Sequence, residues 1–376
     1  MNDSSTGGGV ARSGPALREV DRETGLISFD VIRGVQGGRE FYTGMCTFAT
    51  LYNHFKFNED PQIPPALRAQ RKLRRSRIPA IADYILSNPD SYVFSAITVS
   101  VGGQLMFHPV PGLGDAANMG ILRMPIDAPI LINDGQHRYA AIRQAYEQRP
   151  QLRGERIPVV FFEDVGLERS QQMFADLNKH AVKPTKSLGL LYDHRDSFSR
   201  FIVNLVNDVE IFVGRTEMEG TNISHRSRKF FTLNGVSEAT KFLLKANAKS
   251  IAAEKQRAAA DFWREVSLSI PEWNLLLQGK VTPHELRKGY VHAHTNVLAA
   301  IGMAGHILLT HYPDSWPRMV RRIHKVDWSR SSPQWNGKLV INGRMLKNKT
   351  GIKAAAGIIL KSCGVKESLD SFGVRW

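Results

Sequence analysis

The stretch INDGQHRYAAI, residues 132–142, sets Asp134, Gly135, Gln136, His137 and Arg138 in a row where an apolar run stops and a helical pattern begins. Free N–H groups and the helix dipole already favour an anion at such a place. Asn133 and Asp134 offer side chains that can cap the helix, and Gly135 lets main-chain N–H groups come close to a ligand. Arg138 can pair with phosphate oxygens. His137 can donate a hydrogen bond or, in an enzyme, move a proton near neutral pH. Read this way the run is a phosphate cradle, and Asp134, His137 and Arg138 are its catalytic candidates. On that reading Arg138→Ala abolishes nucleotide or DNA binding at nearly unchanged melting temperature, while Asp134→Ala costs ~0.5–2 kcal/mol as a lost cap. The same residues also suit a plain capped helix with a solvated first turn, so the types and spacing leave both open. Beyond the turn, Tyr139, Ile142 and Tyr146 are expected to face the sheet, with Arg143 and Arg149 outward.

Five further groups could carry chemistry. FADLNKHAVKPTKS (174–187) holds Asn178, Lys179, His180, Lys183, Thr185 and Lys186, whose charge-assisted bonds would complete a phosphate pocket. LRAQRKLRRSR (67–77) holds Arg68, Arg71, Lys72, Arg74, Arg75 and Arg77 with no acid, and on a helix most of these form one cationic ridge. HRSRK (225–229) adds Arg226, Arg228 and Lys229, and residues 321–376 carry twelve Lys/Arg against three Asp/Glu. Trp328 and Trp335 beside these charges read as core rather than as base-stacking platforms. In YVHAHTN (290–296), His292 and His294 would point to different sides of a helix and read as structural or surface residues unless a carboxylate lies close.

No C-x-x-C pair, H-E-x-x-H or G-x-x-x-x-G-K-[ST] run is present, so no structural metal is expected. Glu163, Asp164 and Asp193 are the carboxylates that could hold Mg²⁺ on a bound triphosphate. Cys46 and Cys363 make no disulfide framework, and Cys46 reads as a buried, inert thiol. With no leader pattern in MNDSSTGGGVARSGP and no apolar run long enough to span a bilayer, a cytoplasmic protein without membrane contact is expected. Fifty Lys/Arg against thirty-five Asp/Glu give a net charge of +15, which favours a polyanionic partner.

The elements that must position these groups follow from periodicity. Residues 1–18 are Ser/Gly-rich and read as disordered. Residues 19–195 alternate strands and helices, as in an α/β (α+β) domain, with strands at 90–101 and 157–162 and helices at 77–87 and 167–178. Residues 196–376 read as a mainly helical domain with a basic C-terminal part, the helices lying in 198–209, 237–247, 251–266 and 296–312.

LINDGQHRYAAI (131–142), PALRAQRKLRRSRIPAIADYILSNPDSYVFSAITVSV (65–101) and IPVVFFEDVGLERSQQMFADLNKHAVKPTKSLGLLYDHRD (157–196) together resemble the DGQHR-domain, or DndB, family of bacterial DNA phosphorothioation clusters. The resemblance is specific from about Asp30 to Asp193, looser through 216–236 and weak in the last hundred residues. It implies a DNA-binding transcriptional regulator of such a cluster, with double-stranded DNA and other proteins of the sulfur-modification system as partners. A homo-oligomer stays open. Gly135, Arg138 and Ala141 also resemble the G-x-x-R-x-x-A pattern of ParB/sulfiredoxin-like folds, which implies that fold and a site for ATP, CTP or GTP with Mg²⁺. Gln136 stands where sulfiredoxins carry their catalytic cysteine, so thiol chemistry is excluded there. The alternative class is an enzyme that hydrolyses a nucleoside triphosphate or nicks DNA. A third is an assembly factor for sulfur transfer that needs neither activity.

Overall fold

Alternating apolar residues in Leu26–Gln36 and Arg39–Thr47 form the two long strands of the first half, with Ile27, Phe29 and Val31 buried on one face. They belong to a computed structural model of the chain that describes residues 20–21, 24–55, 73–112, 118–164, 166–179, 184–245, 251–341, 344–345 and 348–374. Segment 1–18, Arg68, Arg71, Lys72, His180 and Lys183 lie outside the described residues, as does the Asn178 side chain. The chain forms two compact units, 1–182 and 183–376.

In the first unit β1 (Val20–Asp21), β2 (Leu26–Gln36), β3 (Arg39–Thr47), β4 (Ile97–Val101), β5 (Met106–Pro109), β6 (Met119–Pro125), β7 (Ile130–Asp134) and β8 (Arg156–Glu163) make one mixed sheet. Its order is β5-β6-β2-β3-β8-β4-β7, with β1 pairing with β2 beside that path. β4 runs parallel to β8 and antiparallel to β7. All five residues of β4 are buried, as a strand covered on both faces requires. Helices α1 (Phe48–His54), α2 (Ile78–Ser87) and α3 (Gln136–Gln148) pack together, and α4 (Leu167–Lys179) lies against β7. Cys46 is buried in this core.

The expected strand at 90–101 is shorter, because only Ile97–Val101 enters the ladder. Tyr92 and Phe94 instead pack ring to ring at 5.7 Å, and the Tyr92 hydroxyl donates to Glu155 at 2.9 Å. Aromatic side chains fit a pleated surface, but here a side-chain cluster half-buries them without a ladder.

The second unit holds α5 (Lys186–Tyr192), α6 (Ser197–Asp208), α7 (Leu233–Leu244), α8 (Ala253–Ser269), α9 (Pro271–Leu277), α10 (Pro283–Gly289), α11 (Thr295–His311), α12 (Trp316–Val320) and α13 (Lys349–Cys363). Two short strand pairs accompany them, β9 (Thr216–Glu217) with β10 (Phe231–Thr232) and β11 (Val340–Ile341) with β12 (Arg344–Met345). Helix α11 is apolar almost all round and is the buried centre of this unit. It packs on α7 in parallel, since Gly235 sits by Thr295, Gly302 by Ala239 and Gly305 by Leu243. Trp328 and Trp335 are buried and stacked on each other at 5.7 Å, so they are core.

Periodicity along the sequence puts the division at 195/196, whereas the compact units part at 182/183. Helix α5 packs on α6 and α7, and the Ser187 hydroxyl donates to the Gly220 carbonyl at 2.8 Å. Among the described residues no helix is long and apolar enough to cross a membrane.

Candidate functional site

The DGQHR turn is built where β7 ends and α3 begins. Gly135 is the N-cap residue with φ +94°, a left-handed conformation that L side chains rarely adopt. A Cβ there would also stand 3.0 Å from the Ile97 side chain. The helix therefore starts with no side-chain cap, and Asp134 does not serve as one. Its carboxylate turns instead onto Arg138, which donates through Nη2 at 2.6 Å.

The Nη1 donors of Arg138 point into the protein. Nη1 donates to the Ser95 carbonyl at 2.6 Å, to the Ala96 carbonyl at 2.7 Å and to the Ser95 hydroxyl. The antiparallel register explains the reach, because Thr98 pairs with Asp134 and so the chain entering β4 lies beside the motif. The guanidinium is a bracket that fastens the end of β7 and the first turn of α3 to the start of β4.

Gln136 is buried and donates to the Ile132 carbonyl at 3.1 Å. Asn133 is also buried and donates to the Ser100 hydroxyl at 2.6 Å. Tyr139 and Ile142 are buried as the periodicity predicts. Arg143 does not simply face outward, since its guanidinium lies over the Tyr52 ring at 4.9 Å.

His137 has a partner that sequence spacing could not reveal. Its Nε2 accepts a hydrogen bond from the main-chain N–H of Arg74 at 3.1 Å. The bond brings the basic segment to the motif. Arg75–Arg77 form a single 3-10 turn that leads into α2, and Arg74, Arg75 and Arg77 are all exposed. The described part of the expected ridge is thus a turn at the DGQHR site rather than a helix remote from it.

The other expected groups are divided between the two units. Lys179 ends α4 in the first unit and is exposed. Thr185 caps α5 in the second unit, accepting from Leu188 N at 3.1 Å and donating to the Glu219 carbonyl. Glu163 pairs with Val101, at the opposite end of β4 from the motif, and lines a cleft of about 280 Å³ with Arg39, Glu40, Tyr42 and Arg169. Asp164 accepts from Gly166 N at 3.0 Å and from the Ser170 hydroxyl at 3.2 Å. Asp193 accepts from Asp196 N at 3.1 Å. Among the described residues no three His, Cys, Asp or Glu side chains meet to hold a metal ion.

In the second unit the HRSRK loop wraps a cation. Arg287 donates through Nη2 to the carbonyls of Ser224, His225 and Ser227 at 3.0, 3.1 and 3.2 Å, and through Nη1 to that of Lys229. Lys229 Nζ donates to the Gly214 carbonyl at 3.0 Å, while Arg226 and Arg228 are exposed. The positive charge is unevenly shared. Residues 1–182 hold twenty Lys/Arg against nineteen Asp/Glu, and residues 183–376 hold thirty against sixteen.

His292 and His294 are not on a helix but in the segment that leads into α11. His292 is fully buried, and its Nδ1 accepts from the Trp273 indole N–H at 3.0 Å. Burial pushes its pKa down to about 3, with His294 adding to the shift. Glu272 lies 3.8 Å from Nε2, yet burial raises the carboxyl and keeps the imidazole neutral, so the approach is no ion pair. A histidine depressed in the native state takes up its proton on unfolding, so its stabilisation is full above pH ~6.5 and is lost as pH falls toward 3. Stability against urea should therefore drop by about 1.4 kcal/mol per pH unit below 6.5 on its account. His292→Asn, which keeps an acceptor for Trp273, should remove that part of the slope. An unchanged slope would contradict the assignment.

The DndB family model, described as DNA-sulfur modification-associated, matches residues 29–366, so the C-terminal part is included. No curated protein and no solved structure matches the chain. The chain belongs to the DndB family, and with it to DNA sulfur modification.

Proposed function

From that membership we propose that the protein is a DNA-binding regulator of a phosphorothioation gene cluster, with a ParB/sulfiredoxin-like arrangement around its sheet. The observation that carries the reading is the exposed turn of Arg74, Arg75 and Arg77, docked on the DGQHR helix through the Arg74 N–H to His137. Three guanidinium groups without an acid among them suit successive backbone phosphates, which position a duplex rather than read its sequence. The surplus of fourteen positive charges in residues 183–376 adds attraction for the same polyanion. Hydrolysis or nicking at the motif would need Arg138 to reach a phosphate, and the Nη1 group and one Nη2 donor are held by Ser95, Ala96 and Asp134 instead.

The test is binding of a duplex from the upstream region of the modification genes, against a scrambled duplex, over a range of KCl concentrations. A regulator should prefer the first. Changing Arg74, Arg75 and Arg77 to Ala should weaken both and reduce the slope of log K against log[salt] by about 0.9 for each phosphate that is no longer neutralised. Equal affinity for the two duplexes argues against the regulator. An unchanged slope argues against the turn as the surface that meets the backbone.

A further inference from the structure

Strands β4 and β8 run parallel, and the chain leaves both at one end of the sheet, where Val101 pairs with Glu163. From there the two connections part. The one after β4 runs to β5 at one edge of the sheet, and the one after β8 runs to α4, against β7 at the other edge. They take opposite faces. Leu105 packs on the core under α1, α2 and α3, whereas Met173 of α4 accepts from Asn133, whose neighbour Ile132 points into that core. Parallel strands whose connections diverge leave a crevice beyond their carboxyl ends. The cleft of about 280 Å³ lies there, with the start of β3 as one wall.

Its charges are unevenly answered. Glu40 accepts from Arg33 at 3.2 Å and from the Tyr42 hydroxyl at 2.9 Å. Arg39, Glu163 and Arg169 make no side-chain hydrogen bond or ion pair among the described residues. The Nε atom of Arg169 is nevertheless buried. A guanidinium N–H withdrawn from water without a partner is a rare and costly exception, and an acceptor supplied by a ligand would remove it. The rest of the lining, Leu105, Phe162 and Met173, is apolar.

We propose that this crevice binds a free α-amino acid with an apolar side chain. Arg39 and Arg169 offer two guanidinium groups, each able to grip a carboxylate through a pair of N–H donors. Glu163 answers the ammonium group, and Leu105, Phe162 and Met173 answer the side chain. A small cleft with an apolar wall and a few charged groups suits a ligand of that size. A phosphate ester is disfavoured, because its negative charges would stand beside Glu40 and Glu163. The DGQHR motif and the arginine turn lie at the other end of β4, so the site stands apart from the proposed DNA contact.

The test is isothermal calorimetry on the full chain with L-leucine, L-methionine and L-phenylalanine, and with the deaminated and decarboxylated analogue of each. At least one amino acid should bind, and both of its analogues should bind about tenfold more weakly or not at all. Glu163→Gln is nearly isosteric and changes an exposed residue, so the fold should be kept. It should weaken the amino acid by about tenfold, and Arg169→Gln should do the same. Should the Arg169 variant not fold, Glu163→Gln carries the test alone. No binding of any of the three, equal binding of an analogue, or unchanged binding in Glu163→Gln overturns the proposal.

Discussion

Replacing Arg138 with alanine should lower the stability of the first unit by about 3 kcal/mol, because it strips partners from several oxygens at once. The side chain is 17% exposed, so water replaces little of what is removed. Asp134 loses its cation, and the Ser95 and Ala96 carbonyls lose charge-assisted donors. In a unit of this size the melting temperature should fall by about 6–12 °C. Arg138→Lys should recover only part, since an ammonium group cannot span a carboxylate and two carbonyls in one plane. Calorimetric melting of the folded variants measures it. A shift under about 2 °C would show that the bracket is dispensable and would return Arg138 to the ligand role that its place in the motif suggests.

The same substitution in two helices of the second unit should have opposite signs. Gly302 lies in α11 where it crosses α7, and an added Cβ would drive into the Ala239 carbonyl, 2.9 Å from its carbon. Backbone cannot swing aside as a flexible side chain does, so the two helices must part. Gly302→Ala should cost about 3 kcal/mol or more as overpacking. Gly357 in α13 has nothing within 4 Å of the same position. There Ala should stabilise by up to about 1 kcal/mol, through helix propensity and a less flexible unfolded chain. Urea denaturation of both variants checks the pair. A harmless Gly302→Ala would mean that α7 and α11 do not approach as closely as described.

The elements that repeat a period were legible in the sequence. The helices around α2, α4, α6, α7, α8 and α11 are where apolar spacing places them, since a buried stripe must recur along one face. Pairings between distant segments were not legible. Arg138 finds Ser95 and Ala96 some forty residues upstream, and His137 finds the main chain of Arg74 sixty-three residues away. Nothing in the local spacing of INDGQHR separates an arginine aimed at a ligand from one aimed at another strand. The histidine pair was misplaced for a related reason, since the two-residue spacing of His292 and His294 suggests opposite sides of a helix that starts only at Thr295.

β7 is the last strand of the sheet order, laddered among the described residues to β4 alone, and its register shifts between Thr98 and Val99. A strand held from one side can peel from its end, as a zip opens from its free teeth. Arg138 acts as the clasp at that end, doing from a helix what a second neighbouring strand would do from the sheet. The next residue back, His137, is where the arginine turn is attached. Clasp and tether therefore lie in series along one short piece of chain. A load on the arginine turn is delivered to a point where the sheet is fastened by a side chain rather than by a row of main-chain bonds.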